Sequence, residues 1–257
     1  MTAVLHLSGL AVRFGGNRVL DSVTLEVPAG FTGLVGPNGA GKTTIFNVVS
    51  GYVRPTAGDV RLGGVSLVGR PPAQVARRGV GRTFQTPQLV AGLTVLENVM
   101  LGLDGRSAAG GHVRALLGSR RRSRSAAQQA RELLERFGIG DRSADPAESV
   151  ALPVRKVVEV ARALIARPRV VLLDEPAAGL AAGDLDRMVG PLVDVAARDD
   201  LAVLIIEHDL ALVSRLCPRL AVLHRGTVIA LGAPAEVLDR PEVVDAYLGA
   251  GFAALGS

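Results

Sequence analysis

The stretch Gly36-Pro37-Asn38-Gly39-Ala40-Gly41-Lys42-Thr43 decides the fold of this chain. It matches the pattern G-x-x-x-x-G-K-[ST], whose glycines let a loop turn its backbone N–H groups toward phosphate. A strand-length apolar run, Phe31 to Val35, comes before it, and Thr44 to Val49 continue it as an apolar-faced helix. The pattern therefore predicts a nucleoside-triphosphate site between a strand and a helix N-terminus, where the helix dipole favours phosphate.

Three side chains at the end of this loop have separate predicted roles. Lys42 is one of only two lysines in the chain, the other being Lys156, and its compact ammonium suits the β- and γ-phosphates. Thr43 offers a hydroxyl to Mg²⁺, and Thr44 can bond an α-phosphate oxygen. The nucleotide-binding candidates are Gly36, Pro37, Asn38, Gly39, Ala40, Gly41, Lys42, Thr43 and Thr44.

Composition limits the class of protein. A chain of 257 residues that is 48% hydrophobic can bury a sizeable core, and we expect one domain with a subdomain. A single cysteine, Cys217, excludes an intrachain disulfide and fits a reducing cytoplasm. The sequence has neither a signal-peptide pattern nor a run of 18 apolar residues. These features predict a cytoplasmic protein.

The net charge is +5, and the densest basic run is Arg120-Arg121-Arg122-Ser123-Arg124. Aromatic residues are only 3% of the chain and none is interleaved with these arginines, which argues against nucleic-acid binding. We therefore favour a solvated surface for the run, then a contact with anionic lipid head groups, and nucleic acid last.

Two kinds of periodicity divide the chain. Between residues 4 and 30, apolar and polar residues alternate, which predicts antiparallel strands. Between about 88 and 165 the apolar spacing is mostly helical, with helices expected to begin at Ala126 and at Val157, which predicts an inserted helical subdomain. Buried-strand runs follow at Val170 to Leu173 and Ala202 to Ile206, with a helix from about 184 to 198 between them. This last part is typical of a βαβ unit.

Two neighbouring carboxylates follow the first of these buried strands. Asp174 and Glu175 are expected at the carboxyl edge of the sheet, where open α/β sheets bind ligands. Asp174 is the candidate to hold Mg²⁺ through water, and Glu175 is the candidate to orient or deprotonate an attacking water. The second strand ends in Glu207-His208-Asp209, which predicts that His208 lies alongside Glu175 near the γ-phosphate.

In this order, the motifs resemble the ATP-binding cassette family, the nucleotide-binding subunits of ABC transporters, over about residues 4 to 250. The resemblance implies a single α/β domain: a P-loop NTPase cassette with a RecA-like core, an N-terminal antiparallel β subdomain and an inserted α-helical subdomain at about 88–165. A tail at 251–257 follows the domain. The implied cofactors are ATP and Mg²⁺, and the implied activity is ATP hydrolysis.

The resemblance assigns further roles residue by residue. Phe14 matches the aromatic that stacks on adenine, and Gln85 matches the glutamine that contacts Mg²⁺ and the membrane subunit. His208 matches the switch histidine. The implied catalytic residues are Lys42, Gln85, Glu175 and His208, and the implied Mg²⁺ ligands are Thr43, Gln85 and Asp174.

Within the family, several segments look most like cassettes of branched-chain amino-acid importers and their urea-transporting relatives. These segments are NGAGKTTIFNVVSG, GRTFQTPQLVAGLTVLENV, LLDEPAAGL, IIEHDLALV and PEVVDAYLG. A lipopolysaccharide-exporter cassette is also similar, but it lacks the insertion at about 104–130. The resemblance therefore implies membrane permease subunits as partners, an extracytoplasmic solute-binding protein as an indirect partner, and a peripheral location on the inner face of the cell membrane.

One expected motif is altered. The family carries Leu-Ser-x-Gly-Gln about two dozen residues before the paired carboxylates, whereas this chain reads VALPVRK from Val150 to Lys156. Aligned without a gap, the serine becomes Ala151 and the key glycine becomes Pro153, which removes a hydroxyl and an N–H that would hold γ-phosphate. Pro153 fits the first turn of a helix, so the fold is expected to survive. Ala181 also replaces an expected Asp or Asn.

Because two cassettes of this family enclose each ATP between one subunit's phosphate loop and the other's signature, the defect falls on the partner's ATP. We therefore expect a heterodimer with a second cassette whose signature is intact. One alternative is a cassette that binds ATP but serves mainly as a regulatory or structural partner. Another is a soluble cassette acting on ribosomes or DNA, but such proteins usually have two cassettes or a long coiled coil. No nucleic-acid partner is therefore expected.

Overall fold

The computed structural model describes residues 3–106 and 120–253 in two compact units. The first unit combines the described parts of residues 1–75 and 202–257, and the second spans 76–201 with its undescribed gap. The predicted cassette boundaries, including the helical subdomain at about 88–165 and the tail at 251–257, remain a prediction.

The described strands and helices alternate along much of the chain. The strands are β1 (Ala3–Phe14), β2 (Asn17–Pro28), β3 (Gly30–Val35), β4 (Ala57–Leu62), β5 (Val65–Ser66), β6 (Val80–Arg82), β7 (Val170–Asp174), β8 (Ala202–Ile206), β9 (Arg219–His224) and β10 (Thr227–Gly232). The helices are α1 (Lys42–Val49), α2 (Pro72–Arg77), α3 (Val95–Met100), α4 (Arg120–Arg136), α5 (Leu152–Leu164), α6 (Ala182–Arg198), α7 (Leu210–Leu216), α8 (Pro234–Leu238) and α9 (Pro241–Ala253). Short 3-10 helices lie at Leu101–Arg106 and Gly140–Arg142.

The first unit contains the predicted antiparallel sheet. Its strands are ordered β2-β1-β4-β5, and β1 pairs with β2 across the turn at Gly15 and Gly16. In β2 the buried side chains alternate with exposed ones, because successive side chains of a strand point to opposite faces. The alternation that predicted antiparallel strands is therefore confirmed.

The parallel strands of the first unit position the phosphate loop. In this unit β3 lies between β8 and β9 and is parallel to both, while β10 is antiparallel to β9. All five residues of β8 are buried, as are five of the six in β3. Such continuously apolar strands are typical of parallel strands covered on both faces. The phosphate loop leaves the carboxyl end of β3.

The second unit combines two parallel strands with a helical core. In this unit β6 pairs with β7, and α3, α4 and α5 enclose a cluster of buried side chains. Its members share near-complete burial: Val95, Val99, Ala130, Leu134, Val150, Val158, Ala161 and Ile165. Thr94 and Glu97 cap α3 reciprocally, as a capping box does. The helical periodicity therefore predicted the correct element type here.

Two helices begin earlier than their apolar periodicity predicts. We expected helices from Ala126 and from Val157, but α4 begins at Arg120 and α5 at Leu152. The first turn of α4 consists of arginines and a serine, which add no apolar stripe, and the first turn of α5 contains Pro153, a residue that periodicity does not identify as helical. The backbone of the basic run thus begins α4, and Arg124 is exposed, while the side chains of residues 120–123 lie outside the described set.

Membrane crossing is a separate question. Among the helices in residues 3–106 and 120–253, none combines the length and the apolar character that a membrane span requires.

Candidate functional site

The phosphate loop connects β3 to α1, as the sequence predicts. Residues 36–41 form the loop, and α1 begins at Lys42. The helix therefore points its N-terminal N–H groups and the positive end of its dipole toward the loop. This arrangement binds phosphate through main-chain donors.

Two glycines of the loop are required by steric crowding. A Cβ at Gly36 would collide with the carbonyl group of Leu223. At Gly41, where φ is +108°, a Cβ would lie 2.7 Å from Leu20 Cδ2. The loop backbone thus packs closely against β2 and β9, and larger residues at these two positions would displace it.

Lys42 is folded back onto its own loop. Its Nζ donates hydrogen bonds to the carbonyl oxygens of Gly36, at 2.6 Å, and Pro37, at 2.9 Å. The side chain is 7% exposed, so its position is well defined by burial as well as by these bonds. Thr43 is exposed and Thr44 is half-buried at the start of α1. The two threonines and the lysine therefore lie on one helix N-terminus.

Phe14 is the last residue of β1, and its side chain is 53% exposed. An exposed ring at a strand end can stack on a planar base, since base–aromatic stacking needs one free face. Phe14 thus meets the local requirement for the predicted adenine contact.

Asp174 is the buried end of β7. All five residues of that strand are buried, and the Asp174 carboxylate lies 3.8 Å from the guanidinium of Arg82. The Asp174 backbone N–H donates to the Thr83 hydroxyl at 3.1 Å. The backbone of Asp174 is therefore bonded to the Thr83 hydroxyl, while its carboxylate faces the buried guanidinium of Arg82.

Glu175 and Gln85 are brought together although they are distant in sequence. Gln85 Nε2 donates to Glu175 Oε2 at 2.8 Å. Glu175 is half-buried, Gln85 is exposed, and Glu175 has φ +47°, in the left-handed region that non-glycine residues rarely adopt. The paired carboxylates thus differ: Asp174 is buried, while the carboxylate of Glu175 meets an amide at the surface.

His208 follows β8 and is exposed. Its neighbour Asp209 caps α7, because the Asp209 carboxylate accepts hydrogen bonds from the N–H groups of Ala211 and Leu212, at 2.9 and 3.0 Å. Glu207 is buried, with 4% exposure. His208 is therefore exposed, as Asp209 is, but unlike Asp209 it does not cap a helix. Its expected position beside Glu175 remains a prediction.

The altered signature forms the start of α5. Ala151 is the N-cap, with an extended backbone and no side-chain group that could cap the helix, and Pro153 lies in the first turn. Proline is tolerated there because its missing N–H would have no partner within the helix. The prediction that the helix survives these substitutions is confirmed.

A buried network of hydrogen bonds and an ion pair, which no sequence motif predicts, joins α5 to the segment after Gln85. Glu159 is 3% exposed and accepts a hydrogen bond from the Gln88 N–H at 3.2 Å. Arg162 donates to the Gln88 carbonyl at 2.6 Å and pairs with Glu159 at 3.3 Å. Burial raises the pKa of Glu159, an effect that Gln88 and Arg162 partly offset. The signal for this network was a charged residue every third position in an apolar helix.

Lys156 belongs to the same helix and was recognised only as a marker of the altered signature. Its Nζ donates to the carbonyl oxygens of Glu175, at 2.9 Å, and Pro176, at 3.1 Å. The rarity of lysine in the chain was the available signal, but its acceptors are main-chain groups that a sequence pattern does not identify.

Tyr247, in α9, was also missed. Burial raises the pKa of Tyr247, and a hydrogen bond with the backbone of Gly36 partly offsets that rise. The segment that reads PEVVDAYLG thus reaches the first glycine of the phosphate loop. Tyr247 is one of only two tyrosines in the chain, which is the signal that could have singled it out.

The predicted Mg²⁺ ligands have suitable chemistry. Thr43, Gln85 and Asp174 offer a hydroxyl, an amide and a carboxylate oxygen, and Mg²⁺ prefers such hard oxygen ligands. Within the described residues, no group of three His, Cys, Asp or Glu side chains could hold a metal by itself. Magnesium in nucleotide sites uses few protein ligands and completes its shell with phosphate oxygens and water, so the residues present fit that ion.

Two family profiles match the chain. One, described as ABC transporter, matches residues 20–178. The other, described as branched-chain amino acid ATP-binding cassette transporter, matches residues 227–253. The first contains the phosphate loop and Glu175, and the second contains Tyr247.

Individual relatives are similar over nearly their full length. The high-affinity branched-chain amino acid transport ATP-binding protein BraF of Pseudomonas aeruginosa is 36% identical over 251 residues, which cover 96% of this chain and 98% of that protein. The corresponding protein LivG of Escherichia coli K12 is 36% identical over 250 residues, with the same coverage.

Solved structures share the fold. A nucleotide-free ATP-binding cassette from an ABC transporter has a TM-score of 0.83 and 29% identity, and the match covers 96% of this chain and 99% of that one. A cassette in its ADP conformation also has a TM-score of 0.83 and 29% identity, and the match covers 97% of this chain and 100% of that one. The predicted α/β cassette fold is confirmed.

Proposed function

The chain belongs to the ABC transporter family of ATP-binding subunits, and we propose that it powers the import of branched-chain amino acids or a related small solute. Subunits of this family bind and hydrolyse ATP to drive transport, so the chain is an ATPase. The solute class is supported by the function named for relatives that are 36% identical over nearly the full chain.

The assignment of catalytic roles starts from one observation, the hydrogen bond of 2.8 Å from Gln85 to Glu175. A carboxylate at a strand end can accept a proton from an attacking water, or orient that water, if its own position is defined. The amide of Gln85 defines the position of one carboxylate oxygen of Glu175, directly after the end of β7. We therefore assign the water-activating role to Glu175.

The phosphate-binding roles follow from the loop. Its backbone N–H groups bind phosphate oxygens, and Lys42 neutralises charge on the terminal phosphates. The carbonyl groups of Gly36 and Pro37 already hold the Lys42 ammonium over the loop. Thr44 bonds the α-phosphate, and Phe14 stacks on adenine.

Mg²⁺ is proposed to be held by Thr43, Gln85 and Asp174. The ion supplies charge neutralisation on the phosphates when it is bound. Asp174 is suited to this role because Arg82 and the Thr83 hydroxyl fix its position. His208 is proposed as the residue that senses the γ-phosphate, on the basis of its exposure and its place after β8.

Transport requires partners beyond this chain. We propose that Gln85 and residues 86–94 pass motion to membrane permease subunits, with the chain bound at the inner face of the cell membrane. An extracytoplasmic solute-binding protein would act indirectly, through the permease. Solute selection then resides in those other chains.

The second cassette of the dimer is proposed to be a different chain. Ala151 and Pro153 remove two groups that would bind the partner's γ-phosphate, so a partner with an intact signature would leave one strong and one weak ATP site. The comparisons support a hydrolysing subunit, and nothing in them supports a mainly regulatory cassette.

The substitution Glu175→Gln tests the proposed catalytic role. It keeps the shape of the side chain but removes its proton acceptor, so ATP hydrolysis is expected to fall by about 100-fold or more while ATP binding is retained. Loss of turnover should be accompanied by trapping of a closed dimer. Glu242→Gln, which changes an exposed carboxylate in α9, is the control and should leave turnover unchanged. Near-normal hydrolysis by Glu175→Gln would favour the regulatory alternative.

A further inference from the structure

The buried ammonium of Lys156 contacts the main chain around Glu175. Its Nζ donates to the Glu175 carbonyl at 2.9 Å and to the Pro176 carbonyl at 3.1 Å. The lysine side chain is 5% exposed. Burial of a cation costs free energy unless hydrogen bonds compensate for the lost water. These two carbonyl acceptors therefore contribute substantially to holding the Lys156 ammonium in place. By the same bonds the lysine holds two consecutive carbonyl groups.

The backbone that Lys156 contacts is in a disfavoured conformation. Glu175 has φ +47°, and a side chain with a Cβ adopts this region only when its surroundings impose it. The Ala178 N–H also donates to the Glu175 carbonyl, at 3.2 Å. One carbonyl oxygen thus accepts from both a lysine and a turn amide, which together fix the direction of the peptide.

The other end of Glu175 is fixed by Gln85, whose amide bonds the carboxylate. The segment that follows Gln85 is in turn held by α5, through the bonds of Glu159 and Arg162 to Gln88. Lys156, Glu159 and Arg162 are three residues apart, so they lie near one another on one side of the helix. A single helix therefore orders both partners of the Gln85–Glu175 pair.

We propose that Lys156 is a positioning residue for ATP hydrolysis, which holds the backbone of Glu175 in the conformation that directs its carboxylate to Gln85. The inference rests on the role proposed above for Glu175. Because α5 begins within the altered signature, a displacement of this helix would move the Lys156 side chain and, with it, the Glu175 backbone.

The central experiment compares Lys156→Met, Lys156→Gln and Lys156→Arg in the full chain within its assembled transporter. Lys156→Met removes all donors, and kcat for ATP hydrolysis is expected to fall by about 10- to 100-fold because a misplaced catalytic group loses its alignment. KM for ATP should change by less than about twofold, since the phosphate loop is untouched. Lys156→Gln keeps an amide donor and Lys156→Arg keeps the charge and several donors, so both should recover part of kcat.

Two control variants separate positioning from loss of stability or charge. Val158→Ala removes buried volume from the same helix without touching Glu175, and Arg131→Met removes one exposed positive charge from α4. Both should retain kcat within about twofold. Hydrogen exchange of residues 175–180 should be faster in Lys156→Met than in either control.

Several outcomes would overturn the inference. One is a kcat of Lys156→Met within about twofold of that of the unmodified protein. Another is a rise in KM for ATP as large as the fall in kcat, and a third is an equal loss of kcat in Val158→Ala at a similar melting temperature. The proposed function fails separately, if Glu175→Gln retains hydrolysis. If Glu175→Gln is inactive and Lys156→Met is fully active, only the positioning role is wrong.

Discussion

Glu175 has a backbone conformation for which glycine is normally preferred, because a Cβ is crowded at positive φ. A glycine there would remove the carboxylate that meets Gln85. At this residue the backbone conformation therefore favours glycine, whereas the contact with Gln85 requires a carboxylate side chain. The hydrogen bonds from Lys156 to the carbonyls of Glu175 and Pro176 favour the strained conformation, so the side chain can be kept.

Cys217 is a residue whose burial predicts its chemistry. It is 1% exposed, and burial raises the pKa of its thiol from the ordinary 9.0 to about 12. Because the thiolate is the reactive form, labelling by a thiol reagent at pH 8 should be at least about 100-fold slower in the folded protein than in denaturant. The measurement is the rate of absorbance change with a chromogenic disulfide, with Cys217→Ala as the blank. Equal rates in the two states would show that the thiol is accessible.

At the scale of the element, α5 combines an unusual start with an unusual polar side. The helix begins at Leu152, its N-cap Ala151 has no capping side chain, and Pro153 lies in its first turn. It nevertheless carries three charged residues with bonds to two separate loops. The periodicity predicted a helix in this region because its apolar residues pack into the core with Val95 and Leu134. The charged side was not predicted, since the same spacing is typical of a solvated face.

The raised pKa of Glu159 predicts how this helix responds to pH. Burial penalises the ionised form in the folded protein, whereas the unfolded carboxyl keeps its ordinary pKa of 4.5. Between pH 4.5 and the higher pKa of the folded protein, the Glu159 carboxyl is ionised in the unfolded chain but still protonated in the folded protein. The free energy of unfolding, relative to that of Glu159→Gln, should therefore fall as pH rises through that window. Above the pKa of Glu159 in the folded protein, the difference in unfolding free energy between the two proteins should be constant.

Denaturant unfolding of both proteins between pH 4 and 8 measures this difference. Glu159→Gln is the matched reference because it keeps the size of the side chain and a carbonyl acceptor for the Gln88 N–H. A difference in unfolding free energy that is independent of pH, or that favours the unmodified protein more strongly at high pH, would contradict the expected sign.

At the scale of the whole molecule, the chain combines the proposed hydrolysis residues with an altered signature. In the dimer that we propose, the phosphate loop, Asp174 and Glu175 act on the ATP bound to this chain, whereas the signature acts on the ATP of the second cassette. On this proposal, the substitutions at Ala151 and Pro153 affect turnover only when both cassettes are present.

Restoring the signature tests this asymmetry. Ala151→Ser with Pro153→Gly returns a hydroxyl and a backbone N–H, so turnover at the second site of the reconstituted transporter is expected to rise by at least about tenfold, towards the roughly 100- to 1,000-fold effect of a single oxyanion donor. Ala151→Ser alone serves as a control for helix capping, which should add about 1 kcal/mol of stability. Unchanged turnover in the double variant would refute the asymmetric dimer.

The sequence by itself determined the elements and the end-of-strand groups. Residues 36–43 predicted the phosphate loop, and the buried runs before Asp174 and His208 predicted two strands, because these features depend on residue types within a few positions of one another. Burial of continuous apolar runs and the conformational freedom of glycine are local properties, so a pattern search can detect them.

Only the tertiary structure decided which of these groups meet. Gln85 and Glu175 are 90 residues apart in sequence, Gln88 and Glu159 are 71 apart, and Lys156 and Glu175 are 19 apart. Each contact depends on the packing of helices and strands to within a few tenths of an ångström, and two of the three have main-chain groups as partners. Main-chain donors and acceptors are the same at nearly every position, so no sequence pattern distinguishes the carbonyl that Lys156 holds from its neighbours.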